Sequence, residues 1–143
     1  EFGEKQLAGM ELRKSRSYIK TPDEVKDNLH RGDRLAGSIL YNTYCASCHQ
    51  RDGKGDNSRF PPLAGSDWVT GDKQRLISVI LNGLDGEITV NGQSWQGMMP
   101  AHAEFLDDHA IASISTYIRQ SFGNKAGPVS SLEVAEMRKK SKN

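Results

Sequence analysis

Cys45-Ala46-Ser47-Cys48-His49 is a run whose residue types and spacing imply a defined chemistry. Two thiols three residues apart on a helical turn lie on one face, and the imidazole that follows projects beyond them. At this spacing both thiols can add across the vinyl groups of a haem while the histidine binds the iron. The same thiol pair serves two other chemistries. A tetrahedral zinc site needs four ligands, whereas the chain has two cysteines and four scattered histidines, His30, His49, His102 and His109. A thioredoxin-type dithiol needs a βαβ surround, which the flanks do not show.

The body that carries this run has 143 residues, the size of one domain, and a haem would add apolar bulk to its core. No stretch approaches the ~20 apolar residues that span a bilayer, in keeping with a mean hydropathy of −0.64. No segment reads as a signal peptide, so the chain is taken as a mature or trimmed form. Nineteen basic residues nearly balance eighteen acidic ones. Residues 32–124 are net −3, and residues 125–143 are net +3. The basic end, Arg138, Lys139, Lys140 and Lys142, reads as a solvated helix end suited to the macrodipole, and no nucleic-acid binding is expected of it.

Several elements must position the motif. Asp33 caps a helix running to about Cys45, with Leu35, Ile39, Leu40 and Tyr44 at helical spacing toward the core. Gly37 inside it marks a close approach by another helix. Gly53 and Gly55 permit positive φ and let backbone lie close to a flat macrocycle. Asp72 opens a helix through Leu76, Ile77, Val79, Ile80 and Leu81, closed by Gly83. Ile88 and Val90 alternate with polar neighbours before the turn pair Asn91-Gly92, so residues 87–95 read as a small hairpin or looped excursion. Asp107 caps a helix to Phe122, with Ile111, Ile114 and Ile118 on its buried stripe and Gly123 after it. Ser130 and Glu133 form a capping box for a short helix through Leu132, Val134, Ala135 and Met137. At the other end, Thr21-Pro22-Asp23-Glu24 starts a helix to about Leu29, pinned by Tyr18, Ile19, Val25 and Leu29.

Four stretches together carry a family resemblance: Gly37-x-x-x-Tyr41-x-x-x-Cys45-x-x-Cys48-His49, Asp52-Gly53-Lys54-Gly55-Asp56, Phe60-Pro61-Pro62-Leu63-Ala64-Gly65 and Gly97-Met98-Met99-Pro100-Ala101. From about Gly32 to Gly123 the chain resembles the class I c-type cytochromes. The resemblance implies an all-α, cytochrome c-like helical haem domain over residues 32–124, with an N-terminal extension at 1–31 and a C-terminal extension at 125–143. It implies one covalent haem c, and a first helix that crosses the last where Tyr117 meets Gly37 or Tyr41. Pro61, or Pro62 beside it, would accept the His49 N–H and raise its basicity. Leu63 would pack on the haem face. Met98 and Met99 both suit the far side of the iron, and the resemblance assigns Met99, the residue before Pro100, as the ligand. His102, three residues on, is the rival sixth ligand. Trp95 would hydrogen-bond a haem propionate, with Arg59 and Arg75 as further propionate partners.

The function so implied is transfer of one electron at a time between respiratory redox partners: a terminal oxidase, a quinol-oxidising complex or a dehydrogenase. A six-coordinate iron leaves no position for a substrate, so no enzyme activity is expected. Ala46 and Ser47 leave room at the thioether edge for a transient partner. A monomer is expected, in an extracytoplasmic or periplasmic compartment, with a possible membrane tether beyond the chain. The alternatives are a haem c subunit or severed domain of a larger oxidase or dehydrogenase, and a gas-binding sensor if the methionine is labile.

Overall fold

The computed structural model describes residues 31–56 and 58–141. The helix expected from Thr21, its apolar contacts, His30 and Lys142 lie outside these residues.

Helix α1 (Arg34–Tyr44) starts where the Asp33 carboxylate accepts the N–H groups of Leu35 and Ala36, at 2.9 and 3.4 Å. It crosses α5 (Asp108–Gln120), which Asp107 caps in the same way through Ala110 N–H at 2.8 Å. The crossing is close because Gly37 lies against α5 backbone, where any side chain would strike the Ser113 carbonyl. One turn on, Tyr41 is fully buried, with its ring centroid 5.6 Å from Tyr117 and 5.4 Å from Phe122. Its hydroxyl donates to the Gln50 carbonyl at 2.6 Å, tying α1 to the end of α2 (Ala46–His49).

This crossing corrects the expected orientation of α1. Leu35 and Ile39 are 73% and 63% exposed, and Tyr44 is partly exposed beside Phe105; of the four expected core residues, Leu40 alone packs on the core. Residues two apart on a helix lie about 200° apart around its axis, so burying Gly37 and Tyr41 turns Leu35 and Ile39 outward. The glycine stripe wins because it permits the shorter interhelical distance.

Helix α3 (Asp67–Thr70) is capped by Ser66, and α4 (Lys73–Asn82) by Asp72, with Gly83 at its end. Strands β1 (Leu84–Val90) and β2 (Gln93–Met99) then form an antiparallel hairpin with Leu84 opposite Met99, Gly86 opposite Gly97 and Ile88 opposite Trp95. The fold is therefore helical, with one two-stranded hairpin among the described residues beside the expected helices. Asn91 and Gly92 take φ values of +52° and +82°, the left-handed pair a two-residue turn requires, and pairing extends from this turn to the strand ends.

Helix α6 (Ser131–Ser141) opens on the capping box: Ser130 N–H donates to the Glu133 carboxylate at 2.9 Å, and Glu133 N–H to the Ser130 hydroxyl at 3.1 Å. The segment from 125 onward shares the body's core. Val129 and Val134 are fully buried, Gly32 N–H donates to the Val129 carbonyl, and Val129 N–H to the Thr116 hydroxyl. Arg138, read as a solvated cation, instead donates to the Asp108 carboxylate and to the carbonyls of Ala103 and Leu106 at 2.6–2.8 Å. Lys139 and Lys140 are exposed.

Candidate haem site

Cys45 ends α1, and Cys48 and His49 lie in the single turn of α2, so the motif spans a helix end held by the Tyr41–Gln50 bond. Burial, and then the neighbouring Cys48, pushes the free Cys45 thiol up to about 12, so the unmodified chain holds it protonated. His49 Nδ1 faces the Pro61 carbonyl at 3.0 Å. A carbonyl can only accept, so the proton sits on Nδ1 and the lone pair of Nε2 is free for a metal. Burial lowers the His49 pKa and favours this neutral ring, against the opposing pull of the Pro61 carbonyl. The loop carrying Pro61 is built on Asp56, whose carboxylate accepts the N–H groups of Ser58, Arg59 and Phe60. The Phe60 bond contributes most to holding the Asp56 carboxyl below its usual range.

Two adjoining clefts meet between this motif and the hairpin, and His49, Pro61, Leu84, Ile88 and Met99 line both. Cys48 opens onto the first and Cys45 onto the second. The second is apolar, walled by Leu63, Val69, Leu76, Ile80, Ile114 and Ile118 among others.

The residues present fit a haem. The inward face of the hairpin alternates Leu84 and Met99, then Gly86 and Gly97, then Ile88 and Trp95, so its middle layer has no side chains and leaves the first cleft open. Trp95 is buried against this cleft, and its indole N–H has no partner among the described residues, as suits a donor awaiting a ligand carboxylate. Among the described residues no three His, Cys, Asp or Glu side chains converge as a metal cluster. Gly97 lacks a positive φ, and a Cβ there meets nothing closer than the Arg59 carbonyl at 3.6 Å. Gly97→Leu is accordingly expected to leave the haem-free fold intact and to lower the yield of covalent haem by filling the cleft, measured as the haem-to-protein absorbance ratio.

Arg59 is exposed at the rim of the first cleft, 5.0 Å over the Phe60 ring. Arg75 lines neither cleft; it lies 4.0 Å over the Trp68 ring and donates to the Asp67 carbonyl. His102 is buried beside Tyr44 and Phe105, and also lines neither cleft. Gly53 and Gly55 have φ of +70° and +65°, but they lie under Phe122 and the Phe60 carbonyl, away from both clefts, so they serve the loop's own packing. Met98 is 73% exposed and Met99 half-buried, as strand alternation requires of neighbours.

Three supporting residues escaped the sequence reading. Asn124, buried, accepts Gly65 N–H and donates to the carbonyls of Leu63 and Ile118, fixing the Leu63 segment against the end of α5. Arg119, also buried, donates to the carbonyls of Val69, Gly71 and Gly127 at 2.7–3.0 Å. Trp68 lines the second cleft. Its rarity, as one of two tryptophans, was a signal; the other two residues offered none.

The matched segment and the site define a class I c-type cytochrome: the cytochrome c family model matches residues 35–122, and the chain belongs to this family. Its chemistry is haem-based electron transfer through covalently held haem c. Cytochrome c-552 of Thermus thermophilus is 36% identical over 113 residues, covering 73% of this chain and 85% of that protein. The cytochrome c subunit of the quinone alcohol dehydrogenase of Gluconobacter oxydans is 34% identical over 110 residues, covering 75% of this chain and 23% of that subunit. Subunit CcoP of the Cbb3-type cytochrome c oxidase of Azospirillum sp. (strain B510) is 31% identical over 101 residues, covering 66% and 30%. No helix among the described residues is long and apolar enough to cross a membrane.

Proposed function

We propose that His49 and Met99 ligate the iron of one haem c, thioether-linked to Cys45 and Cys48, and that the protein carries single electrons between respiratory redox partners. The observation that carries the ligand assignment is that His49 and Met99 line both clefts from separate elements, whereas Met98 borders the first cleft alone and is 73% exposed. When bound, the haem supplies reversible one-electron iron chemistry. The chain does the rest. Pro61 orients the imidazole, the hairpin presents the sulfur, apolar walls exclude water, and Trp95 and Arg59, which line the first cleft, would hold the propionates. A soft thioether favours the ferrous state and raises the potential. With His49 and Met99 both committed to the iron, the chain would leave no open position for a substrate, in keeping with a carrier. Arg75, stacked on Trp68, lies outside the lining of both clefts.

The partners are a terminal oxidase, a quinol-oxidising complex or a dehydrogenase, in the extracytoplasmic space where thiols are joined to haem. Similarity to dehydrogenase and oxidase subunits also supports a second reading, a subunit of such a complex. The test is the optical spectrum of the purified protein in both oxidation states. A covalent haem spectrum with the weak near-infrared sulfur-to-iron band supports the assignment; covalent haem without that band removes Met99.

A further inference from the structure

The tip of the hairpin is tied to α3. Asn91 N–H donates to the Asp67 carboxylate at 3.0 Å, and Asp67 N–H donates to the Asn91 side-chain carbonyl at 2.9 Å, a reciprocal pair. Beside it, Trp68 Nε1 donates to the Thr89 carbonyl at 2.7 Å. Ser66 caps the turn from below through Trp68 N–H, and Arg75 covers it from outside, stacked on Trp68 and bonded to the Asp67 carbonyl. At the opposite end, the carbonyls of Ile80 and Leu81 accept the N–H groups of His102 and Ala103, fixing the chain just beyond Met99. Among the described residues the sheet has two strands, and Met99 is the last residue of the second.

A two-stranded hairpin alone is marginally stable in water, so its position depends on what holds its ends. The base is held by α4, and the tip by α3 alone among the contacts just described. We propose that the Asp67–Asn91 pair, with the Trp68–Thr89 bond, is a latch that keeps the hairpin closed and so positions the Met99 sulfur opposite His49. This inference rests on Met99 being the ligand. A ligand carried on a tethered segment binds with an effective concentration set by that segment's freedom, so loosening the tip dilutes the sulfur at the iron without altering any group in the site. The opening is a local unfolding of a kind that exchange of amide hydrogens detects. Asp67, Asn91 and Thr89 are thus positioning residues.

The test uses the haem-loaded full chain and three variants. Asn91→Gly keeps the positive φ and removes the carboxamide; Asp67→Ala removes the acceptor; Asp67→Asn restores an acceptor. Three quantities are read: the sulfur-to-iron band, the rate at which added imidazole binds the ferric protein, and hydrogen exchange of the hairpin amides. In Asn91→Gly and Asp67→Ala, imidazole is expected to bind about tenfold faster, since each loses one hydrogen bond of the pair. Exchange at the hairpin rises in both, and Asp67→Asn stays near the parent. If the tip amides exchange faster while the band and the imidazole rate stay at parent values, the latch does not hold the ligand and the inference fails alone. If the parent itself shows covalent haem and no band, Met99 is not the ligand and both readings fall.

Discussion

Replacing Met99 by alanine is expected to abolish the sulfur-to-iron band and lower the reduction potential by on the order of 0.1 V, within the range that axial ligands set. The haem stays attached through Cys45 and Cys48. Strand register decides which sulfur faces inward. Leu84 pairs with Met99, so Met99 shares the inward face with Ile88 and Trp95, while Met98 pairs with Asp85 on the outward face. The thioether stabilises the ferrous state more than the ferric, so its loss moves the potential downward. Met98→Ala serves as the control and is expected to leave band and potential unchanged, because its side chain is largely in solvent. A band lost in Met98→Ala and kept in Met99→Ala would reverse the assignment. Spectroelectrochemical titration of the two variants reads both quantities.

Gly37→Ala is expected to destabilise the fold by about 3 kcal/mol or more, at the upper end for overpacking, with a fall in Tm of roughly 10 °C. The added methyl meets the Ser113 carbonyl and the Cβ of Tyr117, which lies 2.8 Å from it. Neither can retreat. Ser113 and Thr116 lie in the buried middle of α5, and Tyr117 is wedged against Tyr41 and Phe122. The helices must part, which uncovers Tyr41 and loosens its bond to Gln50 beside the haem-binding turn. Ile39→Ala, on the opposite side of α1, is expected to cost no more than about 0.5 kcal/mol, since Ile39 is mostly exposed. Thermal melts of the two variants, compared by circular dichroism, decide which stripe of α1 is inside. If Ile39→Ala proves the more damaging, the orientation seen here is wrong.

Local chemistry was legible in the sequence wherever it is local in space. Asp33, Asp72 and Asp107 cap helices, and Ser130 and Glu133 form their box, because a cap bonds an N–H two or three residues away. The Asn91-Gly92 turn was readable for the same reason. The Cys-x-x-Cys-His spacing identifies covalent haem from the residues themselves, since one turn of helix sets the reach of both thiols. Tertiary structure decided the rest. Leu35 with Ile39 and Gly37 with Tyr41 have the same helical spacing, and only the approach of α5 selects between them. Met98 and Met99 are neighbours, and only the pairing of Met99 with Leu84 turns one of them inward. The bonds of Asn124 to residues 63 and 65 and of Arg119 to residues 69 and 71 join points about fifty to sixty positions apart in the chain. No local pattern encodes such a bond: the carbonyls these side chains satisfy come within reach only once the helices have packed.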